Sequence, residues 1–245
     1  MRNFASSDNK LKSWYFMSLL ELETKKRWVK KFSKSQRGQD WFVMQLFRKK
    51  NGFFVEFGAV NGILNSNTYS LEKIFGWRGI LAEPAKKYSS SLMQNRSCSI
   101  DFDCVYNNTG QKVEFVETRN WADGNTIKNF LDVDGKTRVA ERVYEVKTIS
   151  LADLLLKYSA PRYIDFLSID TEGSEFEILE AFEFSAFSFG AICIEHNDVE
   201  YKRRAIQQIL TDNGYARLDL PRDMCGVDDW YLDAEMIKEF SRIFL

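Results

Sequence analysis

The sequence predicts an α/β fold with a mostly parallel sheet and helices on both of its faces. Short apolar segments alternate along the chain with stretches of helical periodicity. Strands that alternate with helices are typical of βαβ units, in which a helix crosses over between parallel strands. Two closely spaced apolar segments near the end, residues 215–218 and 229–232, predict an antiparallel edge.

Composition narrows the class of protein. The 245 residues are 44% hydrophobic and 28% charged, which suits one large globular domain. The net charge of -1 lacks the basic footprint of a nucleic-acid protein or of one that binds an anionic membrane. The four cysteines form no C-x-x-C pair, and we identify neither a signal peptide nor an apolar run of membrane-spanning length. A soluble protein of the reducing cytoplasm is therefore expected.

The chain divides into an extension and a main domain. Residues 1–34 are basic and aromatic, and their apolar spacing predicts an N-terminal helical extension. Residues 35–245 carry the alternating pattern of the α/β domain. Its first half reads, in order, as a helix (41–49), a strand (53–57), a helix (67–75), a strand (79–82), a helix (85–94), a third strand (98–105) and an edge strand (112–117).

The second half contains a long irregular stretch before the pattern resumes. Residues 118–145 are polar and irregular, and a loop of this length in a compact domain is usually functional or mobile. In an enzyme with its site at this edge of the sheet, the stretch 118–147 would be a substrate lid in which Trp121 could stack on a sugar ring. Order then returns with a strand (146–149), a helix that Ser150 caps, a buried strand (163–169), a helix (to 184), a strand (191–194) and a helix (199–212).

A glycine turn and an acid predict a nucleoside site. The first strand runs into Glu56 and a loop with Gly58 and Gly62, which does not match the G-x-G-x-x-G pattern of dinucleotide folds. An acid in this loop suits a ligand with an ammonium group rather than a pyrophosphate. Glu83 ends the second strand, where an acid can accept both hydroxyls of a ribose. S-adenosylmethionine has both an ammonium group and a ribose, and it carries no phosphate.

Acids at two further strand ends predict the catalytic centre. Asp170 and Glu172 follow the strand that ends at residue 169, and Glu195 and His196 end the next strand. Adjacent parallel strands end at the same edge, so these side chains can share one pocket. Asp170, Glu172 and His196 are the catalytic candidates. Either His196 acts as general base, oriented by an acid, or Asp170 and Glu195, together with His196 or Asn197, hold Mg²⁺ or Mn²⁺.

Several ordered motifs resemble those of FkbM-type S-adenosylmethionine-dependent methyltransferases. The matching stretches are residues 35–40, 54–62, 66–68, 83–84, 169–173 and 194–197. The resemblance implies a class I, Rossmann-like methyltransferase fold with a seven-stranded sheet, and O-methylation of a sugar or small metabolite. By position it implies that Glu83 binds the ribose, that the region of Asp103 and Cys104 lies near the adenine, and that the remaining cofactor contacts come from Glu56, Gly58, Ala59, Asn61, Gly62, Asn67 and Asp170.

The sequence therefore predicts an S-adenosylmethionine-dependent O-methyltransferase that acts on a glycan or a sugar-containing metabolite, with or without a divalent metal. Two alternatives stay open at this point. One is a nicotinamide-dependent oxidoreductase on a similar sheet, and the other is a non-catalytic nucleoside-binding module. Neither the acceptor, the oligomeric state nor the role of residues 1–34 follows from the sequence.

Overall fold

The computed structural model describes residues 31–237, which are built around one seven-stranded sheet. Its strands are β1 (Phe53–Phe57), β2 (Arg78–Ala82), β3 (Ser99–Asp101), β8 (Tyr163–Ile169), β9 (Ser188–Glu195), β10 (Tyr215–Arg217) and β11 (Asp228–Asp233). They lie in the order β10-β11-β9-β8-β1-β2-β3. This is the mostly parallel, Rossmann-like sheet that the sequence predicted.

Helices cover both faces of the sheet. The helices are α1 (Gln39–Phe47), α2 (Tyr69–Phe75), α3 (Ser89–Asn95), α4 (Leu151–Lys157), α5 (Glu175–Glu180), α6 (Glu200–Asp212) and α7 (Arg222–Cys225). Side chains of α1, α2 and α3 pack with Phe54, Leu81 and Phe166 on one face. Those of α4, α5 and α6 pack with Val55 and Ile80 on the other. Burial on two faces explains why these strands are apolar almost throughout.

The antiparallel strand is not at the edge of the sheet. β11 pairs antiparallel with both β9 and β10, so it lies one position inside, and β10 forms the edge. The predicted antiparallel pair of closing strands at this edge of the sheet is therefore confirmed, with β11 as the strand that runs opposite to its neighbours. A sequence pattern of two closing strands does not reveal which of them pairs with the parallel strands of the main sheet.

A second, four-stranded sheet occupies much of the stretch that the sequence presented as irregular. It has the order β4-β7-β5-β6 and consists of β4 (Cys104–Tyr106), β5 (Lys112–Thr118), β6 (Thr126–Ile127) and β7 (Ala140–Ser150). The single strand predicted at 98–105 is therefore two strands in different sheets. β5 lies between β7 and β6 and is not an edge strand. The polar loop shrinks to residues 119–139, apart from β6 and a 3₁₀ turn at Lys128–Phe130.

Two predictions concern regions beyond the domain itself. All but the last four residues of the predicted N-terminal extension, 1–34, lie outside the described residues, so its helical structure stays a prediction. Between residues 31 and 237, no helix combines the length and the apolar composition that spanning a bilayer requires.

Candidate active site

A cleft opens where the carboxyl ends of β1, β2 and β8 meet. It holds about 440 Å³ of empty space, its open mouth included. Apolar side chains form most of its walls, and polar groups converge on it from three strand ends and from the 119–139 segment. The lining residues are Phe57, Gly58, Ala82, Glu83, Pro84, Cys104, Val105, Phe115, Asp123, Asn125, Ile127, Asp170, Thr171 and Ser174. An apolar cleft with a few convergent polar groups is typical of a small-molecule site.

The floor of the cleft is a close contact between two strand ends at Gly58. The backbone of Gly58 has φ +72°, and a Cβ there would lie 1.9 Å from the Asp170 carbonyl oxygen. The N–H groups of Gly58 and Ala59 both donate to the Ala82 carbonyl, at 3.1 and 3.4 Å. Only glycine combines this conformation with this approach. Gly58 therefore lets the ends of β1 and β8 meet beneath a ligand.

Glu83 presents a buried carboxylate to the cleft. Its side chain is 3% exposed. One oxygen accepts from the Val60 N–H at 2.7 Å, and the other accepts from the Ala85 N–H at 2.8 Å. Burial raises the pKa of Glu83 to about 7, although both backbone donors oppose this shift. Each oxygen keeps a lone pair, so the carboxylate can accept two further donors from a ligand.

Three residues expected at the methionine end do not line this cleft. The Glu56 carboxylate accepts from Ser66 Oγ at 2.9 Å and from the Asn67 N–H at 2.6 Å, with Arg96 Nη1 at 3.7 Å. The Asn61 side chain accepts from the N–H groups of residues 63 and 64. Gly62 has φ +80° and contacts the Arg96 stem. These residues shape the loop after β1.

At the opposite end, Cys104 lines the cleft but Asp103 does not. Burial raises the pKa of the Cys104 thiol to about 12, so the sulfur is a neutral, apolar wall at physiological pH. The backbone N–H of Asp103 donates to Asp101 Oδ1 at 2.9 Å, which fixes the turn into β4.

The central carboxylates lie in one row across three neighbouring strands. Ile169 pairs with Ile194, so the next residues, Asp170 and Glu195, are adjacent, and Glu195 pairs in turn with Asp228. Oxygens of Asp170, Glu172 and Glu195 all lie within 4.8 Å of one another. Burial, followed by repulsion from neighbouring carboxylates, raises the pKa of Asp170 and of Glu195 well above their usual ranges. The pair therefore retains a proton more readily than isolated acids do.

Glu172 differs from the other two because Arg138 neutralises it. Arg138 Nη2 donates to Glu172 Oε2 at 2.5 Å, and the guanidinium also makes a two-point contact with Asp134 at 2.7 and 2.8 Å. Burial still raises the pKa of Glu172, with Arg138 acting in the opposite direction. Asn197 donates through its amide to both Glu172 and Glu195. Through Arg138, the 119–139 segment is therefore linked to Glu172, which follows β8.

His196 is not brought into the group of carboxylates. Its Nδ1 accepts from the Asp198 N–H at 3.0 Å, and burial lowers its pKa. The nearby charges that act on it are Asp229, Arg203, Asp198 and Arg222. The possible metal ligands that the structure groups in the described residues are Asp170, Glu172 and Glu195, so Glu172 stands in the place expected for His196.

A second cavity adjoins the cleft and shares Asp170 with it. It holds about 290 Å³ of empty space beneath the start of α1, its open side included, and its walls are almost entirely polar. Gln39 Nε2 donates to Asp228 Oδ2 at 2.8 Å, and Asn67 Nδ2 donates to Ser168 Oγ at 2.9 Å. The lining residues are Gln36, Gln39, Asn65, Asn67, Ser168, Ile169, Asp170, Cys193 and Asp228.

The residues that complete this region have only weak signals in the sequence. Gln39 lies in the matched stretch 35–40, to which no role is assigned, and Asp228 lies just before the predicted closing strand at 229–232. Arg138 lies in the predicted lid, and no sequence pattern connects it to Glu172. Trp121 is packed against cations, with Lys136 Nζ 4.5 Å and the Arg138 guanidinium carbon 5.3 Å from its ring centre.

Comparison with known proteins identifies a matching family model and several solved structures. The model described as the methyltransferase FkbM domain matches residues 56–217. Methyltransferase FkbM from Methylobacillus flagellatus KT is 10% identical with a TM-score of 0.47, and the alignment covers 89% of this chain but only 57% of that one. An O-methyltransferase from Bacillus cereus, solved with SAH, is 15% identical with a TM-score of 0.44, covering 89% and 88%. No curated protein matches the chain.

Proposed function

The chain belongs to the FkbM methyltransferase family, and from that premise we propose that it transfers a methyl group from S-adenosylmethionine to a hydroxyl of a sugar, a glycan or a sugar-containing metabolite. One observation carries the proposal: an apolar cleft opens directly onto a row of half-buried and buried carboxylates at the carboxyl edge of the sheet. Such an edge is where open α/β sheets bind ligands.

The cleft has the chemistry that an uncharged nucleoside needs. Cys104, Val105 and Ile127 offer an apolar surface for a flat base, and Glu83 offers two acceptor oxygens for the ribose hydroxyls. No lysine or arginine is among the described residues that line it. A dinucleotide would bring a pyrophosphate, which calls for cations or an exposed helix N-terminus. This favours S-adenosylmethionine over a nicotinamide cofactor.

The carboxylates supply the chemistry that an alcohol acceptor needs. When bound, S-adenosylmethionine provides a methyl group already activated by its sulfonium, so the chain has to orient the acceptor and remove its proton. Asp170 and Glu195 are adjacent, buried and raised in pKa, which suits a base that must take up a proton near neutral pH. His196 is a weaker candidate because its Nδ1 already accepts a hydrogen bond from Asp198.

A divalent metal is the second mechanism that the geometry supports. Asp170, Glu172 and Glu195 offer three oxygen ligands at mutual distances within 4.8 Å, and hard oxygen ligands suit Mg²⁺ or Mn²⁺. In that mechanism the ion would lower the pKa of the acceptor hydroxyl, and Arg138 would keep Glu172 in place.

The second cavity supports a hydroxyl-rich acceptor. Its amide and hydroxyl groups, from Gln36, Gln39, Asn65 and Ser168, can donate to and accept from sugar hydroxyls, and few apolar surfaces line it. An acceptor hydroxyl that entered there would meet Asp170, which borders both spaces.

Binding and turnover test the proposal separately. Calorimetry should detect SAH binding by the native chain, and Glu83→Ala should weaken it about a hundredfold through loss of two charge-assisted hydrogen bonds. A methyl-transfer screen against sugars, run with and without EDTA, tests the acceptor class and the metal together. Absence of binding by both S-adenosylmethionine and SAH would overturn the proposal. Transfer that survives EDTA would exclude the metal mechanism and leave the carboxylate base.

A further inference from the structure

A large cavity opens at the opposite edge of the main sheet, where the parallel strands begin. It holds about 1050 Å³ of empty space, its open mouth included, against 440 Å³ for the cleft. Its walls include Phe53, Arg78 and Ser99, the first residues of β1, β2 and β3, and the turn between α4 and β8. β1 and β2 have five residues each, so at about 3.3 Å per residue this amino-edge cavity lies roughly 13 Å from the cleft. The two spaces share no lining residue.

Arg78 brings an unpaired positive charge to the amino-edge cavity. Two residues along β2, Ile80 packs on the face that α4 covers, and strand alternation places Arg78 on that same face. The Arg78 side chain is exposed, and it makes no ion pair or hydrogen bond with any residue between 31 and 237. A guanidinium offers two parallel N–H groups to an oxyanion. Arg78 is therefore free to bind one.

The acid in the wall of this cavity, Glu72, is already neutralised. Its carboxylate accepts from Arg96 Nε at 2.6 Å and from the Ser97 N–H at 2.8 Å, and Lys73 Nζ lies 3.0 Å away. Burial acts to raise the pKa of Glu72, but the charge of Arg96 outweighs it and lowers that pKa. Two cations therefore balance this one carboxylate, and it does not cancel the charge of Arg78.

Three serine hydroxyls line the same cavity. Ser99 pairs with Ile80 in the sheet, so it shares the face of Arg78, and Ser159 lies in the turn after α4. The hydroxyls of Ser99 and Ser159 have no hydrogen-bond partner in the part of the chain that the structure describes. Ser97 Oγ accepts from Lys73 Nζ at 3.2 Å and keeps its own hydrogen to donate. The cavity thus offers several donors around one cation.

The remaining walls suit the body of a small ring. The Tyr158 hydroxyl donates to the Ile100 carbonyl at 2.9 Å, so its ring is what it offers to a ligand. Phe53 adds a second half-buried ring. Burial raises the pKa of the Cys98 thiol to about 12, which leaves the sulfur neutral. The space is far larger than a bare phosphate needs and is typical of sites for whole small molecules.

We propose that the amino-edge cavity is a second ligand site, which binds a phosphorylated sugar. A phosphate monoester is close to a dianion at neutral pH and has three terminal oxygens. It can therefore take the two-point contact of Arg78 and the serine hydroxyls at the same time. The C–H face of the sugar packs on the Tyr158 ring. This site does not depend on the proposed methyl transfer, which uses the other edge of the sheet.

Calorimetry on the native chain tests the proposal at pH 8, in a buffer free of phosphate and sulfate. The probes are glucose 6-phosphate, inorganic phosphate and glucose. We expect glucose 6-phosphate to bind at least tenfold more tightly than glucose, because only the phosphate pairs with Arg78. We expect it to bind at least threefold more tightly than inorganic phosphate, because only the sugar contacts Tyr158.

Two variants assign the binding to this cavity. Arg78→Gln removes the charge and should weaken glucose 6-phosphate at least tenfold. Arg142→Gln is the matched control, since Arg142 is also exposed and without an ion pair among the described residues, but lies on β7; it should leave the affinity unchanged. Ser99→Ala, on a different strand, should weaken the phosphate probes at least threefold.

Each outcome decides one part of the proposal. Failure of the native chain to bind glucose 6-phosphate would overturn it. Glucose bound as tightly as glucose 6-phosphate would exclude recognition of the phosphate, and inorganic phosphate bound as tightly would exclude recognition of the sugar. These comparisons need no variant, so they hold even where Arg78→Gln does not fold. Unchanged affinity in a folded Arg78→Gln protein would show that the sugar phosphate binds elsewhere and would overturn the site.

Discussion

Lowering the pH should weaken nucleoside binding through Glu83. This carboxylate is buried, and its pKa is raised to about 7 from a usual value of 4.5. Ribose hydroxyls donate hydrogen bonds, so they bind best to the ionised form. The same pKa shift also affects folding. Because the pKa of Glu83 is higher in the folded state, its contribution to the free energy of unfolding is fully present below pH 4.5 and is lost as the pH rises through 7.

The magnitude follows from the fraction of Glu83 that is ionised. With a pKa of about 7, that fraction falls roughly tenfold between pH 8 and pH 6, and the apparent dissociation constant rises in proportion when only the ionised form binds. The rise of this pKa from 4.5 to about 7 lowers the free energy of unfolding of the ligand-free protein by roughly 3 kcal/mol at pH 8, relative to a pH at which Glu83 is protonated in both states. Bound hydroxyls offset part of this cost.

The assay is calorimetry with 5′-methylthioadenosine at pH 6, 7 and 8. This ligand keeps both ribose hydroxyls and lacks the amino-acid end, so carboxylates near Asp170 affect it least. Glu83→Gln is the control: it cannot ionise, and its amide nitrogen gives up one of the backbone hydrogen bonds to residues 60 and 85. An affinity that stays within twofold across this range, with no proton released at pH 7, would refute the assignment of Glu83.

Two further substitutions probe how the site is held. Gly58→Ala should destabilise the fold by at least about 2 kcal/mol and abolish SAH binding, because its Cβ would overlap the Asp170 carbonyl. Gly110→Ala has a similar φ of +85° but no atom within 4 Å, so in thermal melts it isolates the backbone strain. Arg138→Met should cost about 3 kcal/mol in urea unfolding, since it removes the guanidinium that pairs both Asp134 and Glu172 and leaves only Lys136 and the Asn197 amide as their partners. Arg204→Met, which breaks the exposed ion pair with Glu200, should change the free energy of unfolding little. If Arg138→Met and Arg204→Met lowered it equally, Arg138 would not be the buried anchor described above.

Most of the main sheet could be predicted because its strands are buried on both faces. Such strands read as continuous apolar runs, and β8 was located to the residue (Tyr163–Ile169). The small second sheet could not be predicted in the same way. β7 is largely exposed from Ala140 to Tyr144, so its first half carries no apolar pattern, and its pairing with β5 joins segments some thirty residues apart.

The sequence predicted the site residues that directly follow strands. It did not predict those that folding brings in from distant segments. Asp170, Glu83 and Gly58 follow strands directly, and all three line the cleft. Glu56 lies one residue before the end of β1, yet the 66–68 loop folds back and its donors occupy the Glu56 carboxylate. Sequence position places a backbone at the edge of a sheet, but only the completed loop shows which oxygens remain for a ligand.

Arg138 makes Glu172 different from the other two central carboxylates, Asp170 and Glu195, because it pairs with Glu172 alone among the three. Burial raises the pKa of Glu172, but the Arg138 guanidinium opposes that rise, so Glu172 is less suited than Asp170 or Glu195 to act as the base. Asp170 and Glu195 have no such guanidinium partner, and burial together with neighbouring acids raises the pKa of each well above its usual range. They can therefore share a proton or exchange it for a metal ion. The charge that distinguishes Glu172 comes from the 119–139 segment, so in the proposed enzyme this segment would contribute to the electrostatics of the reaction as well as to the lining of the cleft.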